Sequence, residues 1–192
     1  HSFTPKIFLR YALGSMRQET SGSRLEPLTA FSMDRLNNIR NFETGLNTAV
    51  GFDYSISKND YNKFDFSIAQ IINSKENKMM SNVSSMNEKL SDLVGKISLG
   101  SDKTNLTYNF NIDQNYKELN YNELSASYNF DPFKINLNYL KEQKHLGNQE
   151  YLKTKLDLFK NDSNQFSFEN KRNLITNSSE FYNLSYEYIN DC

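Results

Sequence analysis

Any chemistry in this chain would have to come from few side chains. It holds two histidines, His1 and His145, one cysteine, Cys192, and no tryptophan. The histidines are far apart and neither has ligand-like spacing around it, no Gly-rich phosphate loop is present, and Ser, His and acid do not group into a nucleophile triad. The expectation is therefore no catalytic residue, no bound metal and no cofactor. Asn105-Leu106-Thr107 has the form of a glycosylation acceptor but falls inside a predicted strand and is set aside. Lysine and arginine number 22 against 23 acidic residues, a net charge of -1. Phosphate binding leaves a basic face, so nucleic acid is not expected as a partner. What remains are charged side chains in two settings: Arg24, Asp34, Arg35, Arg40 and Glu43 crowd one stretch, and others alternate with apolar residues.

The elements that position these side chains follow from composition and period. Hydrophobic residues make up 37% and mean hydropathy is -0.73, yet aromatics reach 14%. Disordered chains are poor in aromatics and carry a large net charge. No run approaches the roughly 20 apolar residues of a membrane-spanning helix. Barrel strands need only about 9 to 11 residues alternating apolar and polar, which keeps average hydropathy low.

The clearest alternation runs from Asn105 to Tyr116, where Leu106, Tyr108, Phe110, Ile112 and Tyr116 interleave with Asn105, Thr107, Asn109, Asn111, Asp113 and Asn115. This is period two, not 3.6. The apolar row is expected to face lipid, as are Tyr182, Leu184 and Tyr186. The opposite row suits a watery lumen, and Asn109, Asn111, Asp113, Lys153, Lys155, Asp157 and Glu187 are expected to line it, with Lys96, Glu123, Glu169 and Lys171. Similar rows occur at Phe42 to Tyr54, Phe64 to Ile68, Leu93 to Leu99, Leu124 to Phe130, Phe133 to Tyr139, Leu152 to Leu158, Phe166 to Phe168 and Tyr182 to Tyr188. With a strand at Lys6 to Tyr11 this makes about ten, each boundary good to roughly two to four residues.

Connections alternate in length. Residues 57–62, 100–104, Asp131-Pro132 and 161–164 are short and turn-rich, whereas 12–41, 73–92, 117–122, 142–149 and 173–179 are mostly longer. Outer-membrane barrels sort short periplasmic turns to one rim and long extracellular loops to the other; a soluble sandwich has no reason to. The fold class expected is all-β: an antiparallel transmembrane β-barrel, present as an incomplete fragment. The first long loop faces outward, and Arg24, Asp34, Arg35, Arg40 and Glu43 are the candidates to order it, Asp34 by pairing with Arg35 or Arg40. Tyr54, Tyr116, Tyr128, Tyr139 and Tyr188 are candidates for interfacial aromatic girdles. The start at His1, with neither basic n-region nor apolar h-region, is read as truncation. Two alternatives share parts of this pattern: a passive porin or receptor barrel, and a soluble all-β surface-binding protein.

Three stretches carry a family resemblance: Thr4-Pro5-Lys6-Ile7-Phe8-Leu9-Arg10-Tyr11-Ala12 with Gly14, Met16 and Arg17; Leu28-Thr29-Ala30-Phe31-Ser32-Met33-Asp34-Arg35-Leu36 followed by Asn41-Phe42-Glu43-Thr44-Gly45-Leu46; and Lys171-Arg172-Asn173-Leu174, then Glu180 to Tyr188, closing on Asn190-Asp191-Cys192. They resemble LptD, the outer-membrane family of lipopolysaccharide assembly. The resemblance implies a partial outer-membrane barrel over residues 1–192, lacking the N-terminal periplasmic jellyroll, the first strands and the last strand or strands, and so lacking the lateral gate. It further implies transport rather than catalysis. The partners it implies are the plug lipoprotein LptE, lipopolysaccharide, and a periplasmic lipopolysaccharide bridge reached through the jellyroll. Cys192 would form a disulfide with the N-terminal periplasmic region, and a lone thiol in an exported protein fits a partner outside the visible chain.

Overall fold

A computed structural model describes residues 1–20, 24–36, 38, 40–58, 62–161 and 164–188. Ten strands form one antiparallel sheet: β1 (Ser2–Ala12), β2 (Gly45–Ser57), β3 (Lys63–Asn73), β4 (Leu93–Gly100), β5 (Thr104–Ile112), β6 (Leu119–Phe130), β7 (Phe133–Glu142), β8 (Gln149–Asn161), β9 (Asn164–Asn173) and β10 (Ser178–Tyr188). Spatial order equals chain order, so β1 and β10 each have a single neighbour and the sheet is open. Among the described residues the one helical turn is 3-10, Thr29–Phe31, and no helix is long and apolar enough to cross a membrane. The fold class read from the sequence is the one found.

A consecutive antiparallel meander must put alternate connections at opposite ends. Connections 13–44, 74–92, 113–118, 143–148 and 174–177 share one rim, and all but the last are longer than those at the other, where Ser57 to Lys63, Gly100 to Thr104, Phe130 to Phe133 and Asn161 to Asn164 turn. Strand ends moved where turn chemistry overrode alternation. The apolar row through Tyr116 predicts a longer β5, but the strand ends at Ile112 because the Asp113 carboxylate accepts the backbone N–H groups of Asn115, Lys117 and Glu118. Tyr116 sits in that turn at φ 59°. Likewise β2 starts at Gly45, φ 95°, so Phe42 to Thr44 belong to the preceding connection.

The pleat gives the sheet two unlike faces. On one, Ile7 and Leu184 are 78% and 76% exposed, and Leu106, Tyr108, Phe110 and Ile112 lie under no second layer of the chain. Aromatics gather on this bare face near the short-turn rim: Phe3, Phe52 and Phe66 with centroids 5.2 and 5.6 Å apart, Tyr128, Phe130 and Phe133 at 5.3 Å each, and Phe166 with Tyr186 at 4.7 Å. Toward the other rim the same face turns polar, at Gln70, Asn122, Arg172 and the Lys141–Glu150 ion pair.

The second face is covered. The described parts of connections 13–44 and 74–92 fold back over β2, β3 and β4, and Met16, Leu25, Ala30, Leu36, Met80 and Met86 pack with Ala49, Ala69, Ile71 and Val94 in a buried cluster. Small residues on the sheet make room, and flexible methionines fill the irregular gap. The hydrophobic core thus lies between loops and sheet, not between two sheets.

Candidate functional site

The loop-covered face gathers nearly all the buried charge, in two nodes. In the first, Glu43 is clamped between cations from different elements: Arg10 of β1 donates from Nη1 at 2.5 Å, and Arg35 of the first long connection donates from Nε at 2.8 Å. Arg10 Nη2 also reaches the Glu43 carbonyl at 2.7 Å, and Arg35 reaches Asn47 Oδ1 at 2.6 Å. All four side chains are buried. Burial lowers the Arg35 pKa, the Glu43 charge and hydrogen bond oppose that, and Arg10 adds to the lowering. An arginine keeps its charge regardless, so Glu43 is the acceptor that makes its burial tolerable.

This corrects the pairing expected of Asp34, while Arg35 and Glu43 of the same expected set do meet. Among the described residues no ion pair joins Asp34 to Arg35 or Arg40; Asp34 instead accepts the Leu36 N–H at 3.2 Å. The Arg40 backbone N–H is held by Asn38. Arg24 reaches much further, to Glu142 at 3.2 Å.

That contact opens the second node. His145, in the β7–β8 connection, is buried between two carboxylates: Nε2 lies 2.7 Å from Asp92 Oδ2 and Nδ1 lies 3.1 Å from Glu142 Oε1. Its backbone N–H also donates to Glu142, at 2.9 Å. Asn120 donates to Asp92 at 3.1 Å, Lys144 stands 3.8 Å from it, and Arg24 stacks on the Tyr121 ring at 3.8 Å. Burial alone would lower the His145 pKa, but hydrogen bonds and charge from Asp92 and Glu142 override it, and the value is raised. Nothing in the local sequence pointed to this histidine, because Asp92 is 53 residues away. Both ring nitrogens are occupied by carboxylates, and among the described residues no group of three or more His, Cys, Asp or Glu could hold a metal.

Away from the covering loops, this face is an open polar wall. Asn109, Asn111, Lys153, Lys155, Asp157 and Glu187 lie on it by register, and Asp113 stands just past the end of β5 with its carboxylate turned to backbone donors. Asn111 holds the Leu25 carbonyl at 2.9 Å, so it anchors a loop rather than facing open water. Lys153 pairs with Glu169 at 2.5 Å, Lys155 stands 3.3 Å from Asp157, and Ser167 donates to Asp157 at 2.6 Å. A cavity of about 390 Å³ opens beneath Glu26, Pro27 and Leu28, with Lys96, Asn109 and Glu123 in its lining. The wall is charged yet balanced, able to stay hydrated without concentrating one sign of ion. Leu106, Tyr108, Phe110, Ile112, Tyr182, Leu184 and Tyr186 all fall on the bare face. Cys192 lies outside the described residues.

Two unlike faces and two unlike rims are the geometry that any function must use. The family model described as LptD, LPS transport system D, matches residues 28–190. No curated protein matches the chain.

Proposed function

The chain belongs to the LptD family, outer-membrane proteins of lipopolysaccharide transport, and we propose that it forms part of the wall of the barrel through which lipopolysaccharide reaches the outer leaflet. The observation that carries this reading is the asymmetry of the sheet: an apolar face with nothing of its own chain over it, backed by a polar face with paired charges. A bare apolar face spanning ten strands far exceeds the few hundred Å² that soluble monomers leave open. In β2 the apolar row from Leu46 to Tyr54 extends about 27 Å along the strand, or about 21 Å after a tilt of about 40°, close to the apolar band of such barrels.

Under this reading Leu106, Tyr108, Phe110, Ile112, Tyr182, Leu184 and Tyr186 meet lipid, and Asn109, Lys153, Lys155, Asp157 and Glu187 line the lumen. Inside a bilayer every backbone N–H and C=O needs a partner, so the free edges of β1 and β10 pair with further strands of the closed cylinder. The long-connection rim faces the cell exterior. The polar wall meets the plug lipoprotein LptE and the sugar and phosphate groups of the passing lipid.

Depletion of the protein in living cells tests the reading, with surface-exposed lipopolysaccharide read by a membrane-impermeant label and small-solute uptake read in parallel. Loss of newly labelled lipopolysaccharide with uptake unchanged is expected. Loss of uptake with lipopolysaccharide delivery intact would identify a diffusion porin instead.

A further inference from the structure

Three connections of the long rim converge on His145. From the first, Arg24 reaches Glu142, while the adjacent Leu25 is buried, its N–H on Ser85 Oγ at 3.2 Å and its carbonyl held by Asn111. From the second comes Asp92, whose N–H is bonded to the Ser85 carbonyl at 3.1 Å. The third carries His145 and Lys144 themselves. Asn120, at the start of β6, completes the surround by donating to Asp92 and accepting the Gln143 N–H at 2.9 Å. The charged groups facing the ring are thus Asp92 and Glu142, with Arg24 and Lys144 behind them.

Ionised carboxylates accept and do not donate. Two of them, one on each ring nitrogen, are both satisfied only by an imidazolium. A neutral ring carries one N–H, so one nitrogen lone pair would confront a carboxylate oxygen across 2.7 or 3.1 Å in a buried site. We propose that His145 is a charge-dependent latch: as the cation it fastens the 74–92 and 143–148 connections together and, through Glu142, holds the 13–44 connection down on the sheet, and on losing its proton it lets them lift. The device goes beyond the transport reading and stands without it, since it requires only the fold.

The raised pKa of His145 sets the sign. A histidine whose folded value exceeds its unfolded value contributes stability that is fully present below the unfolded value, about 6.5, and lost as pH rises through the folded one. The latch is therefore closed at mildly acidic pH and opens on the alkaline side.

Hydrogen exchange on the full-length protein in lipid bilayers, from pH 6 to 10 and expressed as protection factors corrected for intrinsic rate, tests this. Peptides covering 84–92 and 143–147 are expected to lose protection by about tenfold for each unit by which the folded pKa exceeds the unfolded one. Reference peptides covering 105–111 are expected to stay level. In His145→Gln the loop peptides should be weakly protected at every pH, with no step. A flat wild-type profile would overturn the proposal, as would a step that survives in His145→Gln or one shared by the reference peptides. The wild-type titration decides the matter even if the variant does not fold.

Discussion

Removing Glu43 should detach the first long connection without unfolding the sheet. Glu43→Ala strips Arg10 and Arg35 of their common counter-charge while both remain buried. At an effective dielectric of about 20, opposite unit charges about 4 Å apart attract by about 4 kcal/mol. Leaving a buried ion uncompensated costs about 3–5 kcal/mol in mutational series. The loss is not doubled for two cations, because Arg35 keeps Asn47 Oδ1 and Arg10 keeps the residue 43 carbonyl. The strand ladder on both sides of β2 is untouched, so the cost falls on docking of the loop. About 3–5 kcal/mol corresponds to roughly two to three and a half powers of ten in the protection of 24–36 against hydrogen exchange. Asp34→Ala is the internal control: among the described residues its exposed carboxylate accepts one part-buried hydrogen bond, from the Leu36 N–H, and a change of about 1 kcal/mol is expected. If Glu43→Ala left loop protection within roughly threefold of wild type, or equal to that of Asp34→Ala, the clamp would not be what holds the loop.

Further consequences follow from single positions. Tyr108→Arg, on the bare face between Ile97 and Leu124, should cost about 2–4 kcal/mol near the bilayer midplane and Asn109→Arg very little, as read by chemical unfolding of the membrane-inserted protein; equal tolerance of both would undo the face assignment. A Cβ on Gly95 would meet Phe110 ring atoms at 2.1 to 2.8 Å, whereas one on Gly51 would meet the Ile68 carbonyl oxygen at 2.1 Å. Gly95→Ala should therefore be eased by Phe110→Leu, and Gly51→Ala should not be, in a double-mutant unfolding series. Burial opposes the lowering of the Asp113 pKa, but the backbone N–H groups of Glu118, Lys117 and Asn115 prevail. A lowered carboxylate stabilises above its unfolded value and fails as pH falls through its folded one, so the 113–118 turn should hold its exchange protection at pH 4 to 7 and loosen only in stronger acid. Asp113→Asn should loosen it throughout that range.

Much of this architecture was legible because the pleat enforces period two: a row such as Leu106, Tyr108, Phe110 and Ile112 has no other regular way to share a face. Loop sorting was legible for the same kind of reason, since a meander must alternate its rims. Strand ends were less so, because one carboxylate at Asp113 stopped a row that continued apolar to Tyr116; an Asp followed by Asn and Lys is a turn signal that alternation masked. The nodes were legible only in part: Arg24, Arg35 and Glu43 stand out as charges crowding one stretch, but Arg10, Asp92, Glu142 and His145 do not group with them in the sequence. Arg10 meets Glu43 across 33 positions and Arg24 meets Glu142 across 118, so each pairing exists only after the meander has gathered distant segments at the long rim. Glu142 and His145 are three apart, a spacing that would be telling on a helix but means little at the end of a strand.

The face assignment can be tested residue by residue along β5. Spin labels placed singly at 105 to 112 in the bilayer-embedded protein report collision rates with oxygen, which concentrates in hydrocarbon, and with a water-soluble nickel complex. Oxygen access should peak at 106, 108, 110 and 112, and nickel access should be greater at 105, 107 and 109, with 111 shielded from both beneath Leu25. Equal access of both reagents along the strand, or an oxygen maximum at 105, 107 and 109, would contradict a wall with lipid on one side and water on the other.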